Sequence, residues 1–235
     1  MATSDKTRRI GNVRIVSRSS DPFEDRSQAG RLLAAELVQY KDKQPVVLGI
    51  PRGGIVVARE IAEALGGVLD VVLAHKLGSP GHSELALGSV SEGGKVFLNE
   101  NVVNAVNASA DYIEAEKARQ LAQMRRRTQQ IRKVRPKVSL KGRIAIVTDD
   151  GVATGATTQA AFWAVATEQP EKIVAAIPVG PEDTILRLAE FVDDMVCLRA
   201  PAMFYAVGQF YSRFNAVEDE DMLRILAADL RQKRQ

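Results

Sequence analysis

The chain has one cysteine, Cys197, and two histidines, His75 and His82, among 235 residues. A single thiol excludes an internal disulfide and any cysteine-based cluster, and two imidazoles argue against a histidine-rich metal site. Cys197 stands in an apolar, strand-like stretch and reads as a core residue. Long apolar runs are missing too. None approaches the roughly 20 residues that a membrane-spanning helix needs, and the N-terminal MATSDKTRR has no apolar segment behind its charges. The expectation is a cytoplasmic protein with no membrane partner. GxxxxGK[ST] occurs nowhere, and no GxGxxG follows the first apolar strand. P-loop kinases and ATPases and dinucleotide-binding dehydrogenases are thereby excluded. No internal repeat or low-complexity linker divides the chain, so residues 1–235 are expected to form a single domain.

What is present is an ordinary globular composition, 46% hydrophobic and 26% charged, in a chain long enough to bury a proper core. The net charge of +3 is unevenly spread. Lys117 to Arg143 carries eleven basic residues and no acidic one, which leaves the remainder at +3 − 11 = −8. Such a run is either the solvated face of a helix or a surface for phosphates or nucleic acid.

Hydrophobic periodicity orders the chain. Residues 1–20 lack it and read as a loose or locally paired arm. From Ser27, a plausible N-cap, Ala29, Leu32, Leu33, Leu37 and Tyr40 recur at helical spacing. Pro45 to Ile50 is a short apolar strand ending in Pro51-Arg52-Gly53-Gly54, and a buried helical stripe from Ile55 to Leu65 follows, closed by Gly66 and Gly67. Leu69 to Ala74 reads as a strand and the Gly/Ser/Pro-rich HKLGSPGHSELALG as a mobile loop. Leu87–Val90 and Lys95–Leu98 read as a hairpin, and 108–132 as a long amphipathic helix ended by Pro136. Strand, helix, strand, helix and strand then follow up to Leu198. The alternation predicts an α/β fold, a mainly parallel sheet with helices on both faces. From Ala200 the chain turns aromatic and irregular, then acidic, and closes with a helix.

The most informative stretch is Arg143 to Thr158, RIAIVTDDGVATGATT. A buried strand runs into two adjacent acids, Asp149 and Asp150, and a Gly/Thr turn opens a helix. Ligands of open parallel sheets bind beyond the carboxyl strand ends, where a helix N-terminus offers unpaired N–H groups to an anion. Thr154, Gly155, Ala156, Thr157 and Thr158 supply those amides and three hydroxyls. The two carboxylates repel a phosphate but accept hydrogen bonds from a vicinal diol. A phosphate at one end and two hydroxyls near the middle describe a ribose 5-phosphate.

VTDDGVATGATT resembles the phosphoribosyl-diphosphate motif of type I phosphoribosyltransferases. The family also has a pyrophosphate loop after its first core strand, matched by Pro51-Arg52-Gly53-Gly54, and a flexible loop after the next strand, matched by about Lys76 to Gly88. VCLRAPAMFYAVGQFYSRF further resembles a subgroup of stand-alone members. The similarity covers roughly Asp25 to Leu226. It implies a type I phosphoribosyltransferase-like sheet with a small hood, about 199–218 with N-terminal contributions, and a long basic helix. It also implies that phosphoribosyl diphosphate, bound with Mg²⁺, transfers ribose 5-phosphate to a small nitrogen base. Asp149 and Asp150 then bind the ribose hydroxyls, and Thr154 to Thr158 hold the 5-phosphate. Arg52, Gly53 and Gly54 hold pyrophosphate, with a cis bond expected at Pro51-Arg52. Hypoxanthine-guanine enzymes carry a further acid just before the TG; Ala153 stands there in this chain, which counts against a 6-oxopurine. Lys76, His82 and Glu84 are the candidate proton carriers, Lys76 foremost. Val179 and Gly180 are placed to line a base pocket, with Phe204, Tyr205 or Phe210 either stacking on the base or packing the hood. A homodimer is the expected assembly. The competing reading is a phosphoribosyl-sensing regulator that binds RNA through residues 117–143.

Overall fold

In the computed structural model, which describes residues 8–80 and 82–232, the apolar runs assemble into one seven-stranded sheet. Its members are β1 (Arg8–Ile10), β2 (Val13–Ser17), β3 (Val46–Gly49), β4 (Val68–Val71), β8 (Ile144–Thr148), β9 (Lys172–Val179) and β10 (Asp194–Arg199). They lie in the order β1-β2-β10-β9-β8-β3-β4. β1 pairs antiparallel with β2, and every other neighbouring pair is parallel. Both faces are covered, which is why these runs are continuously apolar rather than alternating. Along β8, Ile144 and Ile146 enter one core while Ala145 and Val147 enter the other. The first core is filled by α1 (Arg26–Glu36), α2 (Gly54–Leu65) and α7 (Asp219–Gln232), the second by α5 (Ala156–Ala166) and α6 (Glu182–Ala189).

α1 is capped earlier than the Ser27 cap expected from sequence. Asp25 is extended (φ −160°) and its carboxylate accepts from the Gln28 amide at 2.9 Å, so Ser27 already lies inside the first turn. α2 ends as expected, with Gly66 in the left-handed region (φ 63°). The arm before α1 is not loose in its described part. β2 extends the main sheet by pairing with β10, and Val13 and Ile15 are buried.

The larger difference lies after β4. The strand expected over Leu69 to Ala74 stops at Val71, and Ala74 opens a second, antiparallel sheet of β5 (Ala74–Ser79), β6 (His82–Ser91) and β7 (Val96–Leu98). The stretch expected as a mobile loop is therefore β5 and β6. Leu77, Leu87 and Val90 are fully buried beneath it. A Cβ on Gly88 would come within 1.9 Å of the Phe97 carbonyl, so this glycine permits close strand approach rather than looseness. The β6–β7 hairpin is as expected. Phe97 stacks on Trp163 of α5 at 4.9 Å and ties the small sheet to the main body.

α3 (Glu100–Ala105), too short to show a periodicity, precedes the long helix α4 (Ala110–Val134). The irregular segment after β10 is strapped to the N-terminal side: the Phe23 amide donates to the Phe210 carbonyl, and the Ser212 amide to the Phe23 carbonyl, both at 2.8 Å. Among the described residues no helix is long and apolar enough to cross a membrane.

Candidate functional site

Gly49 is in register with both Val71 and Thr148, so β3, β4 and β8 end level and their loops emerge side by side. The Ile50 amide extends that pairing to the Thr148 carbonyl at 2.9 Å. The chain then turns through Pro51-Arg52, whose peptide bond is cis, into Gly53 and Gly54. Neither glycine tolerates a side chain. A Cβ on Gly53 would lie 1.9 Å from Asp150 Oδ2, and one on Gly54 would lie 2.8 Å from the Thr148 carbonyl and 2.9 Å from Asp149 Cα. The glycine loop and the two acids are thus packed directly on each other.

Asp150 does not stand alone. Arg26, on α1 and only 9% exposed, donates from Nε to Asp150 Oδ2 at 2.7 Å and from Nη1 to the Asn215 carbonyl at 2.8 Å. The Arg26 guanidinium lies 3.9 Å from the centre of the Phe214 ring. The Tyr211 hydroxyl donates to the Asp150 carbonyl at 2.5 Å. Burial, and then the neighbouring Asp150 charge, raise the Asp149 carboxyl well above the usual carboxylate range. Two adjacent carboxyls and one arginine therefore carry little net charge. No motif announced Arg26, whose role depends on a partner 124 positions away.

Thr154 to Thr158 lie where β8 hands over to α5. Gly155 takes the left-handed conformation (φ 83°), and no side chain caps the helix, so the first amides of α5 stay open. α6 fixes the preceding turn: the Thr184 hydroxyl donates to the Ala153 carbonyl at 3.1 Å, and Arg187 to the Thr154 carbonyl at 2.7 Å. The open helix end faces a cleft of about 540 Å³, whose walls include Thr154, Ala156 and Thr157, Pro51, Lys76 of β5, and Arg119 and Arg127 of α4. Asp149 and Asp150 are not part of that lining.

The other sequence candidates are dispersed. Arg52 turns away to an ion pair with Glu218 at 3.0 Å. Gly81 and the side chains of His82 and Glu84 fall outside the described residues. Phe210 is fully buried against Phe204, and Val179 is fully buried in the core, so both pack the interior; Tyr205 is 83% exposed. In the basic run, Lys117, Arg119, Arg127, Arg132, Arg135 and Lys137 pair with acids of the same chain. Asp70 and Asp229, the partners of Arg132 and Arg135, were unreadable from the local pattern because they are remote in sequence, whereas Glu116 lies three residues before Arg119 on the same helix. Among the described residues no three His, Cys, Asp or Glu side chains gather as a metal site.

The fold and the place of these loops define an α/β protein of the doubly covered parallel-sheet kind, with its site at the carboxyl strand ends. The model of the phosphoribosyl transferase domain matches residues 23–212, and the chain belongs to that family. Two Mycobacterium tuberculosis proteins, both named "Putative phosphoribosyl transferase" (Rv0571c of strain H37Rv and MT0597 of strain CDC 1551), are 43% identical to it over 204 residues. That alignment takes in 87% of this chain and 46% of each relative, so the chain spans about half their length. The crystal structure of TT1426 from Thermus thermophilus is similar with a TM-score of 0.84 and 46% identity, over 88% of this chain and 98% of that one.

Proposed function

We propose that the protein transfers ribose 5-phosphate from phosphoribosyl diphosphate to a nitrogen base, releasing pyrophosphate. The observation that carries this reading is the packing of Gly53 and Gly54 onto Asp149 and Asp150 beside the uncapped end of α5. That packing supports reading the three segments as a pyrophosphate loop, a diol acceptor and a phosphate cradle. The amides at the start of α5 and the hydroxyls of Thr154 and Thr157 hold the 5-phosphate, while Thr158 is buried and lies outside the cleft lining. Breaking the bond at C1 of the sugar builds negative charge on pyrophosphate, which Lys76 on the cleft wall offsets, joined by Arg119 and Arg127 once they leave Glu116 and Asp219. Arg52 joins them once it leaves Glu218. Mg²⁺ belongs to the reaction as the counter-ion of the diphosphate and enters with it.

Ala153 stands where an acid would meet a 6-oxopurine N7, and its exposed turn brings no substitute. Adenine- or orotate-like acceptors are therefore favoured over hypoxanthine and guanine. Tyr205 is the ring of the hood left open to stack on such a base. The RNA-binding alternative weakens, because six of the eleven basic residues of the run pair with acids within the chain. The test is pyrophosphate release from phosphoribosyl diphosphate and Mg²⁺ with adenine, guanine, hypoxanthine, xanthine, uracil and orotate in turn. Turnover with at least one base is expected; silence with all of them, together with no binding of the diphosphate, overturns the reading.

A further inference from the structure

We propose that Arg26 is a positioning residue for the sugar: it cancels the charge of Asp150 and holds that carboxylate ready for the ribose hydroxyls. This rests on the phosphoribosyl reading and adds a residue from outside the motif. Phosphoribosyl diphosphate is strongly anionic, and two bare adjacent carboxylates would repel it. The pair instead sits under a guanidinium that is nearly buried, bonded through Nε to Oδ2 of Asp150 and tied through Nη1 to Asn215. The Phe214 face at 3.9 Å leaves the guanidinium little freedom to swing away. Gly53 contributes to the same arrangement, since a Cβ there would meet both Asp150 Oδ2 and, at 3.0 Å, Arg26 Nε. Burial keeps Asp149 disposed to hold a proton beside Asp150. One negative charge and one positive charge then make a neutral hydrogen-bonding site, suited to hydroxyls and tolerant of a phosphorylated ligand.

The test is calorimetry with phosphoribosyl diphosphate and, separately, inorganic pyrophosphate, which lacks a diol. Arg26→Met is expected to weaken phosphoribosyl diphosphate about tenfold or more, the scale of a lost charge-assisted contact, and to leave pyrophosphate affinity unchanged. Arg26→Lys recovers part of the loss. In an Asp150→Asn background, Arg26→Met costs nothing further, because Arg26 acts through Asp150. That double variant removes the Asp150 charge together with its partner cation and leaves Asp149, no longer facing the Asp150 charge, to its burial, so it serves even where Arg26→Met alone does not fold. Unchanged sugar binding in Arg26→Met, equal weakening of both ligands, or additive losses in the double variant overturn the assignment. A wild-type chain that binds neither ligand overturns the phosphoribosyl reading itself.

Discussion

Asp149 titrates against the fold. Its carboxyl is raised by burial and by Asp150, so the folded chain holds a proton that the unfolded chain, near its ordinary value of 3.8, has released. Between those values stability falls as pH rises, and below 3.8 both states are protonated and the effect is gone. Asp149→Asn is therefore expected to raise the melting temperature at about pH 8, with the gain shrinking as pH falls toward about 4. A gain that persists undiminished at the acid end would show that the charge is not its source. A stabilising change at this acid is what the proposed site, kept at the expense of stability, would show. Cys197 presents the opposite case of a group with no role beyond packing. It is fully buried and its thiol is pushed up to about 12, so a disulfide reagent should leave it untouched in the native protein and react on unfolding. At this scale the sequence was readable where short motifs marked loops that meet at the strand ends, as Gly53 and Gly54 meet Asp150 and Asp149. It was silent at Arg26, because an arginine on an amphipathic helix looks like any solvated one until its partner is known.

The elements were legible in proportion to their apolar periodicity. β3, β8, β9 and β10 are continuous apolar runs, and α2, α4 and α5 keep helical spacing, so each stood where its pattern put it. β5 and β6 did not, because Gly78, Ser79 and Gly88 serve close pairing and register shifts rather than a loop. Gly88→Ala drives a Cβ into the Phe97 carbonyl and is expected to cost about 1–3 kcal/mol, read by urea unfolding. α4 is anchored by Arg132, which bonds Asp70 at 2.7 Å and Glu92 at 2.7 Å while all three side chains are largely buried. Arg132→Gln strands Asp70 and leaves Glu92 with Lys137 alone, 3.7 Å away, and should destabilise the chain by about 3–5 kcal/mol. Asp70 is already raised by burial, with Arg132 pulling it back down. Losing that arginine raises it further, so the penalty should grow from about pH 5 to about pH 8. A pH-independent loss would assign the effect to packing alone.

For the whole molecule, the charge asymmetry and the N-terminal arm have the same explanation: distant segments close a sheet and a helix that are incomplete alone. The excess of +11 along 117–143 is answered in part: Arg127, Arg132 and Arg135 pair with acids from β4, the β6–β7 turn and α7, which binds the long helix across the body. The arm closes the other end of the sheet. β2 covers the β10 edge in parallel register from Val13 to Ser17, and β1, only three residues long and carrying the exposed Arg9, forms a short outer edge. Such an edge discourages further strand addition. Asn12 fastens the arm through its side-chain amide to the Ala189 and Val192 carbonyls at 2.9 and 2.8 Å, and Arg14 pairs with Glu36 at 2.8 Å. Deleting residues 1–17 would leave unpaired those amides and carbonyls of β10 that face β2, and uncover Met195 and Cys197, both fully buried in the intact chain. The shortened protein is expected to elute from size-exclusion chromatography as assemblies larger than the full chain. Its Cys197 should become reactive to a disulfide reagent without denaturant. Elution identical to the full chain, with the thiol still silent, would mean that β10 is a stable edge by itself and that the arm is dispensable to the fold.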